Sequence, residues 1–323
     1  MNKGLSLAVL ATCCAVTPSI AADATGYPNK SMRIVVPFPP GGIADVMSRV
    51  IGQKFTDTWS QPVVVENRTG AGGNIGADVV AKSPADGYTL VMGTIGTHAV
   101  NVSLFSKLPY DPVRDFAPVA LVVEADGLLV LHPSVPVKTV KDLIALARAR
   151  PGQLVYASAG NGTAGHLSGE LFKAMAKIDL VHIPYKGNVP ALTDVVGGQT
   201  SMLFATMPTA MPLARAGKLY AMAVTGAHRN PAAPEVPAIA ETLSGFEVTN
   251  WIGIFAPAGT PTEIVAKLNP ELMRIMKLPE VQARLVTEGA KSRVNTPAEF
   301  GAFQKNEMAK WGKLIKEARI AVD

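Results

Sequence analysis

The sequence predicts an α/β protein with doubly wound sheets in two lobes, joined by a two-strand hinge. Apolar runs of strand type alternate with helical patterns along most of the chain, as in sheets covered by helices. The runs lack polar alternation, which is typical of parallel strands buried on both faces. The series occurs twice, before and after residue 120, with crossings between the two halves predicted at 111–126 and 250–261.

Eight apolar runs are predicted as strands, each ending at a turn. They cover 32–38, 62–67, 88–94, 127–133, 153–158, 180–185, 201–206 and 218–225. The first helix should begin at Ile43, because Ile43, Met47 and Ile51 recur at the spacing of one helical face. The segment from Thr262 onward is predicted to be helical and to pack back on the first lobe.

The chain of 323 residues suits two domains that each bury a core. We assign 23–122 plus 253–323 to lobe one and 123–252 to lobe two. Hinge bending is expected at about 119–126 and 250–256. Two lobes connected in this way leave a cleft between them.

The first 22 residues, 1–22, are predicted to be a signal peptide. Lys3 precedes the apolar segment 4–16, and Ser19-Ile20-Ala21 fits the small-x-small rule for cleavage near Ala21 or Ala22. Export to the periplasm is therefore expected. No later apolar stretch is long enough to span a bilayer.

Both cysteines, Cys13 and Cys14, lie in this leader. The mature chain would then hold no disulfide, thiolate nucleophile or cysteine metal site. A lipoprotein with Cys13 as the lipidated residue is the alternative, although Thr12 is atypical before such a cysteine.

Composition and charge exclude several classes of function. Hydrophobic residues make up 48% and charged residues 17%, which indicates a globular protein. The net charge of +5 is spread along the chain without basic runs, so nucleic-acid binding has no motif behind it. Aromatic residues make up only 6%, which argues against a sugar site of stacked rings.

The stretch Thr69–Gly76 fits a dinucleotide-binding pattern, T-G-x-x-G-x-x-G, but its context is wrong. That motif normally closes the first strand of its domain, and here the run 32–38 comes earlier. The next strand, 88–94, ends without the acidic residue that would bind a ribose hydroxyl. We therefore predict no cofactor.

Signatures of the common enzyme classes are also absent from the sequence. It contains neither G-x-S-x-G nor a phosphate-binding G-x-x-x-x-G-K-[ST] loop, and no two histidines stand at helical metal spacing. We predict no metal site and no enzyme. A Ser–His–Asp triad assembled in space stays open, so the alternative is an exported α/β hydrolase or transferase that uses His166.

Turns rich in Gly, Ser and Thr recur where a strand gives way to a helix. Such turns gather at the ligand crevice of open α/β sheets. Helix N-termini present N–H donors and partial positive charge, so several of them together favour an oxyanion. The turns are 38–42, 70–76, 94–98, 158–163, 185–188 and 206–209.

Seven sequence blocks, in order along nearly the whole mature chain, resemble the receptors of the tripartite tricarboxylate transporter system, also called Bug receptors. The blocks are V-P-F-P-P-G-G-x-x-D (36–45), E-N-R-x-G-A-G-G-N-I-G (66–76), S-P-A-D-G-Y-T-L (83–90), H-A-V-N (98–101), L-P-Y-D-P-V-R-D-F-A-P-V (108–119), I-P-Y-K-G (183–187) and A-P-A-G-T-P (256–261).

The resemblance implies a two-lobed periplasmic binding protein of type 2, a Venus flytrap that closes on a small solute. It implies a monomeric receptor that captures a carboxylate and delivers it to membrane permease subunits. A ligand sensor for a membrane signalling partner shares the fold and stays open.

The same resemblance implies a set of ligand-binding residues from both lobes. They are Phe38, Pro40, Gly41, Gly42, Ala71, Gly72, Thr94 and Thr97 from lobe one, and Ser158, Thr163, His166, Tyr185 and Thr206 from lobe two. Asp45 is interpreted as structural, because a carboxylate in the first helical turn stabilises the helix dipole but repels a bound anion.

Two departures from the family pattern bear on the ligand. Ala44 stands where many relatives carry Thr or Ser, and Phe204-Ala205-Thr206 stands where many carry Phe-Asp-Asn or a similar sequence. An acidic group there could hold an ammonium. Its absence favours a ligand without one: an aliphatic di- or hydroxy-carboxylate, or an aromatic acid.

Overall fold

The protein is described by a computed structural model that covers residues 26–317 and Ile320. The strands are β1 (Met32–Val36), β2 (Val63–Asn67), β3 (Thr89–Thr94), β4 (Phe116–Leu131), β5 (Val155–Ser158), β6 (Val181–Pro184), β7 (Met202–Thr206), β8 (Tyr220–Val224), β9 (Thr249–Pro257) and β10 (Ala290–Lys291). The helices are α1 (Ile43–Trp59), α2 (Asn74–Ala81), α3 (Asn101–Leu104), α4 (Val140–Ala149), α5 (Ala164–Ala176), α6 (Asn188–Val196), α7 (Met207–Arg215), α8 (Thr262–Met276), α9 (Pro279–Thr287) and α10 (Pro297–Glu317).

The first sheet has the strand order β2-β1-β3-β9-β4. β1 pairs in parallel with β2 and β3, whereas β9 is antiparallel to both β3 and β4. The short β10 adds to β4. α1 covers one face with Ile43, Met47, Ile51 and Phe55, all buried, as the spacing predicted.

The second sheet continues from β4 through β7 and β5 to β6, and β8 also pairs with β4. β5 is parallel to β6 and β7, and β4 is antiparallel to β7 and β8. The α/β fold with two wound sheets is thus present. The expectation of parallel strands throughout was wrong, since β4, β8 and β9 form antiparallel pairs.

β4 is the strand that the two sheets share. Its residues Phe116–Asp126 pair with β9 in the first sheet, and Gly127–Leu131 pair with β7 in the second. The sequence reading placed a strand at 127–133 and a link at 111–126. The chain does pass between the sheets here, but the division into a link and a separate strand was wrong: the backbone stays extended for 16 residues, Phe116–Leu131.

Two of the edge strands, β2 and β6, also depart from the expectation of strands covered on both faces. Val64 of β2 is 55% exposed and Val181 of β6 is 44% exposed. Each of these strands lies at one end of the strand order, so within residues 26–317 it pairs with a neighbouring strand on one side only.

The C-terminal helices pack on the first sheet, as predicted. Ile264, Leu268 and Leu272 of α8 are buried in the same cluster as β1 and β9 side chains. In α10, Glu307 Oε2 accepts hydrogen bonds from Trp251 Nε1 (3.0 Å) and Trp311 Nε1 (2.9 Å). The bond from Trp251 ties α10 to β9, and the bond from Trp311 lies within α10; both indole rings are buried.

The predicted signal peptide and Cys13 lie outside the described residues. Across residues 26–317, no helix combines the length and the apolarity needed to cross a membrane.

Candidate functional site

A cavity of about 250 Å³ lies where turns of both sheets meet. Its walls come from the β1–α1 turn, the end of β3, the point where β4 passes between sheets, and the turns before α5, α6 and α7. These are the carboxyl ends of the parallel strands, where open α/β sheets bind ligands. Much of the wall is apolar, including Ile43, Phe204 and Ile252.

Four helix N-termini reach this cavity. The first residues of α1, α5, α6 and α7 are all among its lining. Of these helices, only α5 has a side-chain cap, Thr163, whose Oγ1 accepts from His166 N at 3.4 Å. The first turns of α1, α6 and α7 receive no such cap. Apart from Pro190 in α6 and Pro208 in α7, which have no N–H, their backbone N–H groups remain available to an anion.

Hydrogen bonds to the Asp45 carboxylate fix the conformation of the β1–α1 turn. Asp45 Oδ2 accepts from Gly41 N at 3.0 Å, and its Oδ1 accepts from Arg49 Nη2 at 2.8 Å and from Asn67 Nδ2 at 3.0 Å. Asn67 Nδ2 also donates to Phe38 O at 3.0 Å. Burial acts to raise the pKa of Asp45, but the hydrogen bonds from Arg49, Gly41 and Asn67 outweigh it and lower the pKa. Asp45 is thus a structural anion, as predicted.

The segment after β3 is buried and helical: Gly96–Val100 forms a short π-helix that leads into α3. Thr97 Oγ1 accepts from Thr94 N at 3.0 Å and lies 2.8 Å from His98 Nδ1. The His98 ring stacks on Phe255 with centroids 3.9 Å apart. Complete burial lowers the pKa of His98 to about 3, so the ring is neutral. Thr94 lines the cavity. Thr97 does not, but its hydrogen bond with Thr94 N connects the end of β3 to the helical segment that follows.

In the second lobe, two histidines stack behind the α5 N-terminus. The rings of His166 and His182 lie 4.4 Å apart, and His182 also stacks on Tyr156 at 4.6 Å. His182 Nε2 is 2.7 Å from Ser158 Oγ, and His166 Nδ1 accepts from Gly162 N at 3.2 Å. Burial lowers the pKa of His166 to about 4 and that of His182 to about 3.

The α6 and α7 N-termini are joined by polar side chains. Thr206 Oγ1 lies 2.8 Å from Thr209 Oγ1 and accepts from Asn188 Nδ2 at 3.3 Å. Asn188 Nδ2 also donates to Thr209 Oγ1. This cluster fixes the two helix starts relative to each other.

The hinge side of the cavity is lined by Asp126, Thr225, Asn250 and Glu288. Burial raises the pKa of Asp126, against an opposing hydrogen bond from Asn230. Sequence reasoning missed these four residues, because they lie outside the Gly-rich turns. It also left out Asn188 and Thr209, although both stood inside turns that it had singled out.

The thirteen residues predicted to bind ligand divide into two groups. Seven line the cavity: Phe38, Pro40, Gly41, Gly42, Thr94, Thr163 and Thr206. Six lie beside or behind it: Ala71, Gly72, Thr97, Ser158, His166 and Tyr185. Tyr185, for example, donates from its hydroxyl to Asp194 Oδ2 at 2.5 Å. Ligand contact by any of the thirteen stays a prediction.

Beside the cavity the two lobes touch through three glycines, Gly72, Gly96 and Gly162, which we call the glycine seam. A β-carbon at Gly72 would lie 3.0 Å from Asn161 O, one at Gly96 2.8 Å from Gly162 O, and one at Gly162 2.2 Å from Asn101 Oδ1. Backbone of one lobe therefore lies directly on the other, and the cleft is closed in this structure.

This architecture matches a known group of transport proteins. The family model described as the tripartite tricarboxylate transporter family receptor matches residues 47–320. The chain belongs to this receptor family.

Individual receptors of this family align with the present chain along nearly their full length. Protein BugT of Bordetella pertussis is 36% identical over 321 residues, covering 98% of each chain. The structure of R. palustris Rpa4515 with adipate has a TM-score of 0.87 and 38% identity, covering 92% of this receptor and 100% of that chain. MatC from Rhodopseudomonas palustris with bound malate has a TM-score of 0.82 and 35% identity, covering 90% and 100%. The expected recognition and fold are confirmed.

Proposed function

We propose that this receptor captures a small carboxylate in the cavity between its lobes and releases it unchanged. The observation that carries the proposal is the meeting of four helix N-termini from both lobes on one small cavity. Each of these helix N-termini contributes partial positive charge and backbone N–H donors at the wall of the cavity. Closure of the lobes over a bound ligand would exclude water, so that these interactions would act in a low dielectric.

The ligand class follows from the walls and from the relatives. A carboxylate head suits the helix N-termini, and an aliphatic or aromatic body suits the apolar wall at Ile43, Phe204 and Ile252. Two related receptors have been solved with adipate and with malate bound, and both ligands are small dicarboxylates. We therefore favour a di- or hydroxy-carboxylate, and an aromatic acid is the second choice.

A binding role is favoured over catalysis by the geometry of the histidines. Ser158 and His182 form a close pair, but neither lines the cavity, and Ser158 Oγ also bonds to Gly160 O at 3.2 Å. His166 uses Nδ1 to hold the Gly162 backbone. These groups support the α5 turn and lie outside the cavity lining, which argues against the hydrolase alternative.

We further propose that lobe one is 23–122 plus 253–323 and lobe two is 123–252. In this mechanism the solute binds first to lobe one, and bending at β4 and β9 then brings the α5, α6 and α7 N-termini onto it. The closed monomer docks on a permease of the tripartite tricarboxylate type. Export to the periplasm through the leader 1–22 belongs to the same proposal, and a sensor partner is the alternative recipient.

Thermal unfolding and calorimetry with stripped protein test this function. A carboxylate at about 100 times its Kd should stabilise the protein by about 2.7 kcal/mol. Adipate and its neutral diamide form a matched pair, and only the acid should bind, in one-to-one ratio and without product. Equal binding of the diamide, or turnover of any acid, would contradict the proposal.

A further inference from the structure

The hinge side of the cavity carries a carboxylate that capture of an anion does not explain. Asp126 is the last β4 residue paired with β9, and it lines the cavity. A carboxylate that faces an anionic ligand raises the free energy of the complex by like-charge repulsion. The repulsion is offset where the ligand offers a hydrogen-bond donor to that carboxylate.

The position of the Asp126 carboxyl group is fixed from two sides. Asn230 Nδ2 donates to Oδ2 at 2.8 Å and to Gly289 O at 3.0 Å. The carboxyl also lies against Gly226, where a β-carbon would be only 2.6 Å from Oδ1. Asn230 is itself buried, so the acceptor is held in place before any ligand arrives.

Oδ1 of Asp126 has acceptor capacity that the protein leaves unused. Among residues 26–317, no group donates a hydrogen bond to Oδ1, and no lysine or arginine forms an ion pair with Asp126. Glu288, the other carboxylate of the wall, is paired with Arg284 at 2.7 Å. Asp126 is therefore the carboxylate of this wall that can accept from a ligand.

The neighbouring hydroxyl does not compete for this role. Thr225 Oγ1 donates to Val248 O at 2.7 Å and accepts from Gly127 N at 2.8 Å. Its donor and one of its acceptor positions are occupied within the protein. A ligand hydroxyl on the hinge side would find its stronger acceptor, an anionic one, at Asp126.

Two positive groups weaken the attraction of Asp126 for a cation: Lys291, whose charge acts on Asp126, and the N-terminal end of α7. Gly127, next to Asp126, pairs with Thr206, the residue immediately before α7. The positive end of the α7 dipole is thus close to Asp126 and disfavours an ammonium there. A hydroxyl carries a donor proton without a net charge and avoids this penalty.

We propose that Asp126 is a specificity-determining residue that accepts a hydrogen bond from a hydroxyl group of the ligand. The receptor then binds a hydroxy-substituted acid more tightly than the same acid without the hydroxyl. This inference rests on the proposed carboxylate-binding function and names its substrate class.

Calorimetry with two pairs of acids tests the inference: malate against succinate, and 2-hydroxyadipate against adipate. The native receptor should prefer the hydroxylated acid of the better-bound pair about tenfold, the effect of one hydrogen bond to a charged group. Asp126→Ala should remove most of that preference, mainly by weakening the hydroxy acid. Gly226→Ala should do the same by displacing the carboxyl group. Glu247→Gln removes an exposed carboxylate near Asp126 that does not line the cavity, and it should keep the preference.

Other outcomes separate the inference from the function on which it rests. Equal binding of both members of a pair, or a preference that survives in Asp126→Ala, overturns the inference and leaves carboxylate capture in place. Tightest binding of aspartate, lost in Asp126→Ala, assigns an ammonium to this position and overturns the hydroxyl. Binding of no acid overturns the proposed function and the inference together.

Discussion

At the scale of single residues, the cavity depends on groups that do not line it. Asp45 holds the β1–α1 turn through Gly41 and, by way of Asn67, through Phe38. The turn can therefore present its own backbone donors in one fixed geometry. Fixing that geometry before binding lowers the entropy lost when the ligand arrives.

Asp45→Asn should destabilise the protein by about 2 kcal/mol at pH 7, because an amide cannot replace the charge-assisted bonds from Arg49 and Gly41. Carboxylate affinity should fall about tenfold as the turn loses its position. Urea unfolding and calorimetry measure the two effects. The exposed Asp57→Asn on the same helix is the control.

The same carboxylate gives a pH signature. The pKa of Asp45 is lowered in the folded protein from an ordinary value of 3.8. Its stabilisation is therefore complete above about pH 4 and fades as the pH falls through the lower folded-state pKa. The stability difference between native protein and Asp45→Asn should shrink below pH 4. A constant difference down to pH 3 would contradict the role given to Asp45.

At the scale of elements, the glycine seam brings turns of the two lobes into backbone contact. Gly96 has an ordinary φ, so its small size and not its conformation is what the contact needs. Gly72 and Gly162, with φ of +64° and +76°, combine both requirements. Gly96 therefore separates closure from folding better than its two neighbours.

Gly96→Ala should leave the fold intact and hinder closure, since the new methyl group would meet Gly162 O at 2.8 Å. We expect ligand affinity to drop at least tenfold while the melting temperature of the free protein changes little. Gly197→Ala, whose β-carbon would meet only ordinary contacts at 3.4 Å, is the matched control. Full affinity in Gly96→Ala would show that the seam does not govern closure.

The elements also show how far the sequence could be interpreted. Period-3.6 apolar spacing located α1 and α8, and Gly-rich turns located the helix starts that line the cavity. The course of β4 could not be predicted, because its two halves resemble separate strands and only pairing with β9 and β7 makes them one. Asp126 and Asn250 were missed for the same reason: they become cavity residues only when β4 and β9 cross side by side.

At the scale of the whole molecule, the buried His98 and His166 and the partly buried His182 couple the free energy of unfolding to pH. The pKa values are about 3 for His98, about 4 for His166 and about 3 for His182, against 6.5 ordinarily. Their contribution is complete above about pH 6.5 and is lost as the pH falls, because the unfolded chain binds protons that the folded protein excludes.

Unfolding near pH 5 should therefore take up about three protons, a slope of roughly 4 kcal/mol per pH unit. Urea titrations at pH 7, 6 and 5 measure it. His182→Gln should reduce the uptake by about one proton. An unchanged slope in His182→Gln would mean that His182 is protonated in the folded state.

The closed cleft also predicts a change of overall size. Without ligand, the lobes should separate at β4 and β9, so that small-angle scattering gives a larger radius of gyration than this structure has. Saturating carboxylate should reduce it to the value of the closed form. A radius that is the same with and without a bound acid would rule out closure by bending.

The place of β9 has a consequence for how the chain folds during synthesis. β9 lies between β3 and β4 in the first sheet, yet it follows β4 by more than a hundred residues in sequence. The sheet that begins at Met32 cannot be completed until Pro257 has left the ribosome. Such distant pairings fold slowly, which keeps the nascent polypeptide in an incompletely folded state for most of its translation. A translocation channel that accepts only unfolded chains could therefore engage the nascent polypeptide at any time before Pro257 is synthesised.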